Sequence, residues 1–544
     1  MIRLVSAWVL VNGLLMTPVW VAGAVTDASA LAWLSVEAAL IVGAMALLPQ
    51  KPWSRGLAWV LAGGVVLCAA ALFADLVFRV SLGRSINLSL DLYLLNAVYR
   101  LAVGNSGLVR SLFGFVAIGL FLALSTFATA WLLTPVDSSE DKPRSRLVTR
   151  FGAGVLVGTF ALGLIGFGLE TVGQRLAAPA AALVLDQAQR LSSTRQERRA
   201  FASDLERQPD SFGDLPGLLS KLEGRNVVVA YIESYGMSAL EDAEFAATIR
   251  PSLEAASERI EGAGLRMVTG KLASPTQGGQ SWYAHGTMLS GLWLENQLRY
   301  DLLIASERKT LVNDFHQAGY RTATVMPAIT TSWPEGTRLG YDDIYTQASI
   351  PYSGPPFYWV TMPDQFTWSF VGEIVAEATT PLFVEAGMVS SHAPWTPVLP
   401  IVEWDSVAEG AIFLPYRREG YPPEQIWWNT EVLRKNYARS LDYSVQTMAQ
   451  FAERFLDERT LLVVLGDHEA APWVTGAIGP DVPVHVIARD PILLEPFVKW
   501  GFRPGAFPDP EGSTPRMDEF REWFVRAFSG VASGSAALST TEGT

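Results

Sequence analysis

Reactive side chains are few in this 544-residue chain. The five histidines, His285, His316, His392, His468 and His485, all lie beyond residue 280, and the one cysteine, Cys68, sits inside an apolar run. Internal disulfides, cysteine-based zinc sites and a cysteine nucleophile in the polar part are thereby excluded. Acids, hydroxyls and imidazoles instead gather after short β-branched runs. Glu233-Ser234-Tyr235-Gly236 follows the run 226–232, and Gly466-Asp467-His468-Glu469 follows 461–465. Ser391-His392-Ala393-Pro394-Trp395 comes a few residues after 382–385, and Gly278-Gly279-Gln280-Ser281-Trp282 opens a helical stretch ending near Ser290-Gly291. Singly each signal is weak, since a lone Glu after a strand more often starts a helix and an Asp-His pair is more often surface. Their coincidence carries the reading. Carboxylates, an imidazole nitrogen and a hydroxyl suit Zn²⁺ or Mn²⁺. Metal coordination activates a serine hydroxyl that is otherwise a poor nucleophile. A helix N-terminus adds amide donors that favour an anionic phosphoryl or sulfuryl group.

The elements that must position these residues alternate. Strand runs at 226–232, 266–269, 322–326, 382–385, 461–465 and 484–488 are interleaved with helical stretches at about 238–262, 281–293, 306–318, 364–378 and 429–457. That alternation predicts an α/β domain with a mainly parallel central sheet. Ligands of such sheets bind beyond the carboxyl ends of the strands, where the motifs fall.

Composition divides the chain. Charged residues are 17% against a usual quarter, hydrophobics are 49%, and the excess lies in the first 170 residues. Five stretches reach the roughly 20 apolar residues needed to cross a bilayer, at about 4–25, 30–48, 57–78, 112–134 and 151–169. Lys51 and Arg55, then Lys142, Arg144, Arg146 and Arg150, fall in alternate loops, which the positive-inside rule assigns to the cytoplasm. Everything after residue 170 is then expected on the outer side of a bacterial inner (cytoplasmic) membrane, in the periplasm or at the cell exterior. Glu37 and Asp75 read as interhelical or interfacial acids rather than a proton path. The expected organisation is a five-helix transmembrane domain over 1–171, a helical juxtamembrane linker over 172–222, the α/β domain over 223–528 and a disordered tail over 529–544. A net charge of −13 with no Lys/Arg run argues against nucleic acid.

The order Ile-Glu-Ser-Tyr-Gly (232–236), Gly-Gly-Gln-Ser-Trp (278–282) with Leu-Ser-Gly downstream, Ser-His-Ala-Pro-Trp (391–395) and Gly-Asp-His-Glu (466–469) resembles the sulfatase-like branch of the alkaline phosphatase superfamily. Within it the chain is most similar to membrane-anchored lipoteichoic acid synthases, phosphoglycerol transferases and phosphoethanolamine transferases. The resemblance implies Glu233, Asp467 and His468 as metal ligands, with Ser281 as nucleophile and fourth ligand. It implies His392 as the histidine that binds the phosphoryl group or assists the leaving group. The nucleophile is usually Thr in these transferases, and Thr276 is the runner-up here. The Pro and Arg that direct formylglycine conversion in true sulfatases are replaced by Tyr283 and His285, so an unmodified Ser281 favours phosphoryl over sulfuryl transfer. A single Glu233, where sulfatases supply paired aspartates, favours one divalent ion: Mn²⁺ or Zn²⁺, with Mg²⁺ as a third candidate. Trp333-Pro334-Glu335 is a partial counterpart of a head-group-binding Trp-x-Arg, with Arg338 as the stand-in arginine. His285 and His485 complete the candidate substrate-binding residues, although a core role for His485 is at least as well supported.

The expected activity is transfer of a phospholipid head group, phosphoglycerol or phosphoethanolamine, through a covalent intermediate on Ser281 to a periplasmic glycan or lipid acceptor. Two alternatives stand beside it: hydrolysis of sulfuric or phosphoric esters, and a non-catalytic membrane scaffold.

Overall fold

The computed structural model describes residues 2–26, 34–135, 150–158, 176–207, 212–476 and 479–530. They form two compact units, one over 1–80 and 84–197, the other over 81–83 and 198–544.

The first unit is helical. Among the described residues three helices are long and apolar enough to cross a bilayer: α1 (Ile2–Thr26) through its stretch Ile2–Val21, α3 (Pro52–Leu82) and α5 (Leu108–Leu133). The second expected span is shorter than its composition suggests. Ser35 caps a helix by accepting from the Ala38 amide, so α2 (Val36–Leu47) has 12 residues. At 1.5 Å per residue it rises about 18 Å, short of the ~30 Å hydrocarbon core. Of the fifth expected span, helix is described over 150–158 and 159–175 lie outside the described residues. Three candidate spans are thus described where the sequence leads one to expect five. α4 (Leu94–Ser106) lies between α3 and α5 in the chain. Glu37 accepts from the Ala181 amide of α6 (Pro179–Arg207), an interhelical bond, and Asp75 pairs with Arg79 at 2.7 Å.

The second unit is built on an eight-stranded sheet: β1 (Asn226–Ile232), β2 (Arg266–Ala273), β3 (Arg321–Met326), β4 (Asp343–Thr346), β5 (Leu382–Met388), β6 (Thr460–Gly466), β7 (Asp481–Ala488) and β8 (Arg503–Pro504). Its order is β8-β2-β7-β6-β1-β5-β3-β4. The block β6-β1-β5-β3-β4 is parallel, whereas β7 runs antiparallel to both β6 and β2, which returns β2 to the direction of β6. Both faces of β1 are buried, with Val228, Ala230 and Ile232 in one hydrophobic cluster and Val227, Val229 and Tyr231 in the other. This is why it reads as an unbroken apolar run rather than an alternating one. α7 (Ala243–Gly262) covers the first face together with α10 (Asp364–Glu377) and α11 (Thr430–Phe455). The other face is covered by α8 (Ser281–Ser290), α9 (Leu311–Gln317) and α12 (Phe520–Phe528). Ser529, where the tail is expected to start, is buried and its hydroxyl accepts from the Leu219 amide; residues 531–544, the rest of that expected tail, lie outside the described residues.

Candidate active site

Register brings the motifs together. Ile232, the last residue of β1, pairs with Met388 of β5 on one side and Gly466 of β6 on the other. Glu233 and Asp467 therefore leave neighbouring strands at the same level. Gly466 is obligatory there, because a Cβ on it would stand 1.8 Å from the Tyr235 carbonyl oxygen. The chain turns sharply after β1 and again before α8, with Ser234 at φ 57° and Gln280 at φ 67°. Left-handed backbone at non-glycine residues costs about 1–3 kcal/mol each and persists where surrounding structure imposes it. Here the two turns aim Glu233 and Ser281 at one point.

The Ser281 hydroxyl, half-buried at the first turn of α8, donates to Glu233 Oε2 at 3.2 Å and lies 3.3 Å from His468 Nε2. His468 Nε2 stands 3.4 Å from Glu233 Oε1 and 3.6 Å from Asp467 Oδ2. Ligand atoms of Glu233, Asp467 and His468 all fall within 4.8 Å of one another. Neighbouring groups orient them. Asp467 Oδ1 accepts the Ser234 and His468 amides at 2.8 and 2.7 Å, which leaves Oδ2 turned to the cluster. His468 Nδ1 donates to the Glu469 carbonyl at 3.0 Å, which leaves the Nε2 lone pair for a ligand. Burial pushes the Asp467 carboxyl above its usual range, and Glu233 pushes it further. Burial acts the same way on Glu233, but the His468 and His392 imidazoles outweigh it and hold that carboxyl low. The half-buried Glu233 and buried Asp467 carboxylates, one imidazole lone pair and a hydroxyl converging on one point make an oxygen-rich donor set that fits a single divalent cation.

His392 joins the cluster from β5. The Ser391 hydroxyl donates to the Glu233 carbonyl at 2.6 Å, and His392 Nδ1 donates to the Ala393 carbonyl at 2.7 Å. Trp359 packs edge-on to its ring at 5.6 Å. Behind this loop, Asp364 Oδ1 accepts the Val389 and Ser390 amides, both at 2.7 Å.

Other expected residues fall elsewhere. The Thr276 hydroxyl donates to the Gly279 carbonyl at 2.7 Å and is spent on the loop ahead of α8. His485, expected at the substrate, is corrected to a core residue. It is fully buried, its Nε2 lies 3.0 Å from Tyr235 OH and its Nδ1 2.9 Å from Thr269 Oγ1. Burial drives its pKa down to about 4, so it stays neutral. Trp333 is half-buried against the apolar cluster under α8, and Arg338 is exposed on the short helix Pro334–Leu339. Neither hydrogen-bonds to the Glu233–Ser281–His468 group. His316 is on the surface, 3.5 Å from Asp342. His285, one turn beyond Ser281, binds Glu385 at 3.0 Å.

Sequence reasoning missed Glu385 and the role of Glu469. Glu385 was legible only as a charge inside an apolar strand. The Glu469 carboxylate accepts from the Ser238 amide, the Ser238 hydroxyl and the Ala470 amide at 2.9, 2.7 and 2.9 Å, which clamps the turn after β1 to the segment after β6. Burial raises its pKa to about 7.

The Sulfatase family model matches residues 285–478, a stretch that holds His392, Asp467 and His468 and begins just after Ser281. A search of curated proteins gives no match. Similar solved structures include a lipoteichoic acid synthase from Listeria monocytogenes, at 12% identity over 53% of this chain and 70% of that one, with a TM-score of 0.35. A phosphoglycerol transferase from Streptococcus pyogenes, solved with sn-glycerol-1-phosphate, has 13% identity over 54% and 74%, with a TM-score of 0.33. The soluble domain of a lipooligosaccharide phosphoethanolamine transferase from Neisseria meningitidis has 12% identity over 56% and 87%, with a TM-score of 0.37. At these values the weight rests on the family match and on the site itself. Over residues 285–478 the chain is similar to the Sulfatase family.

Proposed function

We propose that this chain is a metal-dependent membrane phosphotransferase that moves a phospholipid head group, phosphoglycerol or phosphoethanolamine, to a glycan or lipid acceptor. One observation carries the reading: the Ser281 hydroxyl stands at a helix N-terminus within 3.2 Å of Glu233 and 3.3 Å of His468. Glu233, Asp467, His468 and Ser281 would hold one divalent ion, Mn²⁺ or Zn²⁺, which when bound supplies Lewis acidity and charge neutralisation at the phosphoryl group. Ser281 Oγ attacks the phosphodiester phosphorus, diacylglycerol leaves, and the head-group phosphate remains on Ser281. The acceptor hydroxyl then attacks the same phosphorus and frees Ser281. His392, with Nδ1 engaged by the Ala393 carbonyl, turns its other nitrogen to the transferred group or the leaving oxygen. Amide donors at the start of α8 favour the anionic phosphoryl group. The apolar helices anchor the site on the surface that contains its donor, outside the cytoplasm by the positive-inside rule, and so raise the effective concentration of a lipid that never leaves the bilayer.

The test is the intact mass of the full chain after incubation with Mn²⁺ or Zn²⁺ and mixed phospholipid vesicles, beside Ser281→Ala. A mass gain equal to one head-group phosphate, absent in Ser281→Ala, is expected and identifies the donor. The Sulfatase-family match supports one other reading, an ester hydrolase with water as acceptor. Metal-dependent release of phosphate or sulfate from model esters, with no adduct, would establish that instead.

A further inference from the structure

The segment between the His392 loop and α11 turns apolar side chains outward. Ala411–Arg418 form a 3₁₀ helix, which completes a turn every three residues, so Phe413 and Tyr416 fall on one side. That side packs on the first hydrophobic cluster, with Phe413 fully buried and Tyr416 against it. Ile412, Leu414, Arg417 and Arg418 point into solvent, and Leu414 is 61% exposed. Further along, Ile426 is fully buried while Tyr421 is exposed and Trp428 is 90% exposed. Single exposed apolar residues are ordinary, but several on one short strap, set among polar ones, mark an interaction surface.

The strap is fastened to the catalytic segment. Thr396 Oγ1 donates to the Tyr421 carbonyl at 2.7 Å. The Trp427 ring stands 6.4 Å from Trp395, which ends the motif holding His392, and 6.2 Å from Trp359, whose ring packs on His392. Whatever the strap binds is held beside the His392 loop.

Composition selects the occupant. Ile and Leu gain from an apolar medium, and Trp and Tyr concentrate where such a medium meets water. Arg417 and Arg418 have no side-chain hydrogen bond or ion pair among the described residues. The acids nearest in sequence do not neutralise them. Asp405 pairs with Arg454, the Glu409 carboxylate accepts from Ser353, and Glu419 and Glu424 are exposed with no ion pair among the described residues. A guanidinium is the side chain best shaped for phosphate. Aliphatic tips, indole, phenol and guanidinium together match a bilayer surface, with its hydrocarbon, its interfacial layer and its phosphates. A glycan would suit the aromatic rings but offers Ile412 and Leu414 nothing.

We propose that the strap 411–428 is a bilayer-docking surface: Ile412, Leu414 and Trp428 enter the interfacial layer of a glycerophospholipid membrane, and Arg417 and Arg418 bind its phosphates. The His392 loop is thereby held at head-group level, where a lipid donor presents its phosphodiester. Docking rests on the strap and on the candidate spans; only this last consequence rests on the phosphotransfer reading.

The test uses the full chain with Cys68→Ser, which leaves no other cysteine, in nanodiscs of phosphatidylethanolamine and phosphatidylglycerol. A bimane fluorophore is attached through Leu414→Cys, Trp428→Cys or, as the control, Ile492→Cys. Ile492 is 66% exposed, much like Leu414, and follows β7, whose reversed direction puts it at the opposite edge of the sheet. Lipids carrying a head-group nitroxide are expected to quench bimane at positions 414 and 428 about twofold more than at 492. Arg417→Ala with Arg418→Ala is expected to cut the quenching at 428 by about half. Equal quenching at all three positions overturns docking, and quenching indifferent to the arginines overturns the phosphate contact. Protection of 414 and 428 from aqueous iodide by a soluble glucan, without quenching by lipid, would overturn it in favour of a glycan surface. The measurement needs no turnover, so its outcome stands apart from the mass adduct on Ser281, which decides phosphotransfer.

Discussion

Replacing Gly236 by Ala tests how the turn after β1 is held to the metal-binding segment after β6. The backbone of Gly236 does not need positive φ, so conformational strain is not the issue. Space is: an added Cβ would stand 2.2, 2.2 and 2.5 Å from three carboxylate atoms of Glu469. That carboxylate ends a flexible side chain, yet it is enclosed and accepts three hydrogen bonds from Ser238 and Ala470. Making room for a methyl means breaking at least one of them, at about 1.5–3 kcal/mol for a bond to a charged group. Residual overpacking adds about 1–3 kcal/mol. A loss near 3 kcal/mol is expected, read as a fall of several degrees in Tm of the full chain in detergent. Because His468 precedes Glu469, Mn²⁺ affinity should weaken about tenfold or more, as when the groups behind metal ligands are removed. The decisive comparison is Glu469→Ala with and without Gly236→Ala. Once the carboxylate is gone the methyl has room, so the two changes should be strongly non-additive. Full additivity would refute the argument, since the methyl would then be harming the fold through something other than Glu469.

Asp467→Asn should abolish the stabilisation that Mn²⁺ confers on wild type, about 2.7 kcal/mol at a hundredfold excess over Kd, checked by thermal unfolding across a Mn²⁺ titration. His485 is neutral in the fold with a pKa near 4, against 6.5 for the free side chain. Its unfolded form binds the proton first, so its share of stability is complete above pH 6.5 and is lost as pH falls toward 4, about 3 kcal/mol in all. His485→Gln should therefore flatten the dependence of Tm on pH between 6.5 and 4 relative to wild type. Asp314→Ala leaves the Arg521 guanidinium, 1% exposed and bound to both Asp314 oxygens at 2.8 and 3.0 Å, without its carboxylate. A loss of about 3–5 kcal/mol is expected by denaturant unfolding, with the Mn²⁺ affinity of the remaining folded protein unchanged.

Much of the α/β unit is legible in the order of its residues. A strand buried on both faces must be apolar along its length, so β1, β5 and β6 announce themselves and the residues that end them become the candidates. Glu233, Asp467, His468 and His392 are singled out by that rule and Ser281 by the helix it opens, and Glu233 and Asp467 meet because Ile232, Met388 and Gly466 are level in the sheet. Where burial is partial the signal fades. β4 is four half-buried residues, Asp343–Thr346, and β8 is two exposed ones, Arg503–Pro504; neither has an apolar pattern to read. Span length is misread for a related reason. Apolarity continues through 30–48, but the Ser35 cap starts α2 late, and only a hydrogen bond shows it.

What the order of residues determines by itself is chemistry and rhythm: which side chains can ligate, attack or donate, and which segments must be buried. Strand order, the reversed direction of β7 and the pairing of His285 with Glu385 belong to the tertiary structure alone. The reason is physical. Periodicity reports a residue's exposure to its own surroundings, and it carries no information about which distant segment supplies those surroundings. His485 and His285 look alike along the chain. One is enclosed between Tyr235 and Thr269 and stays neutral, while the other hydrogen-bonds an acid a hundred residues away.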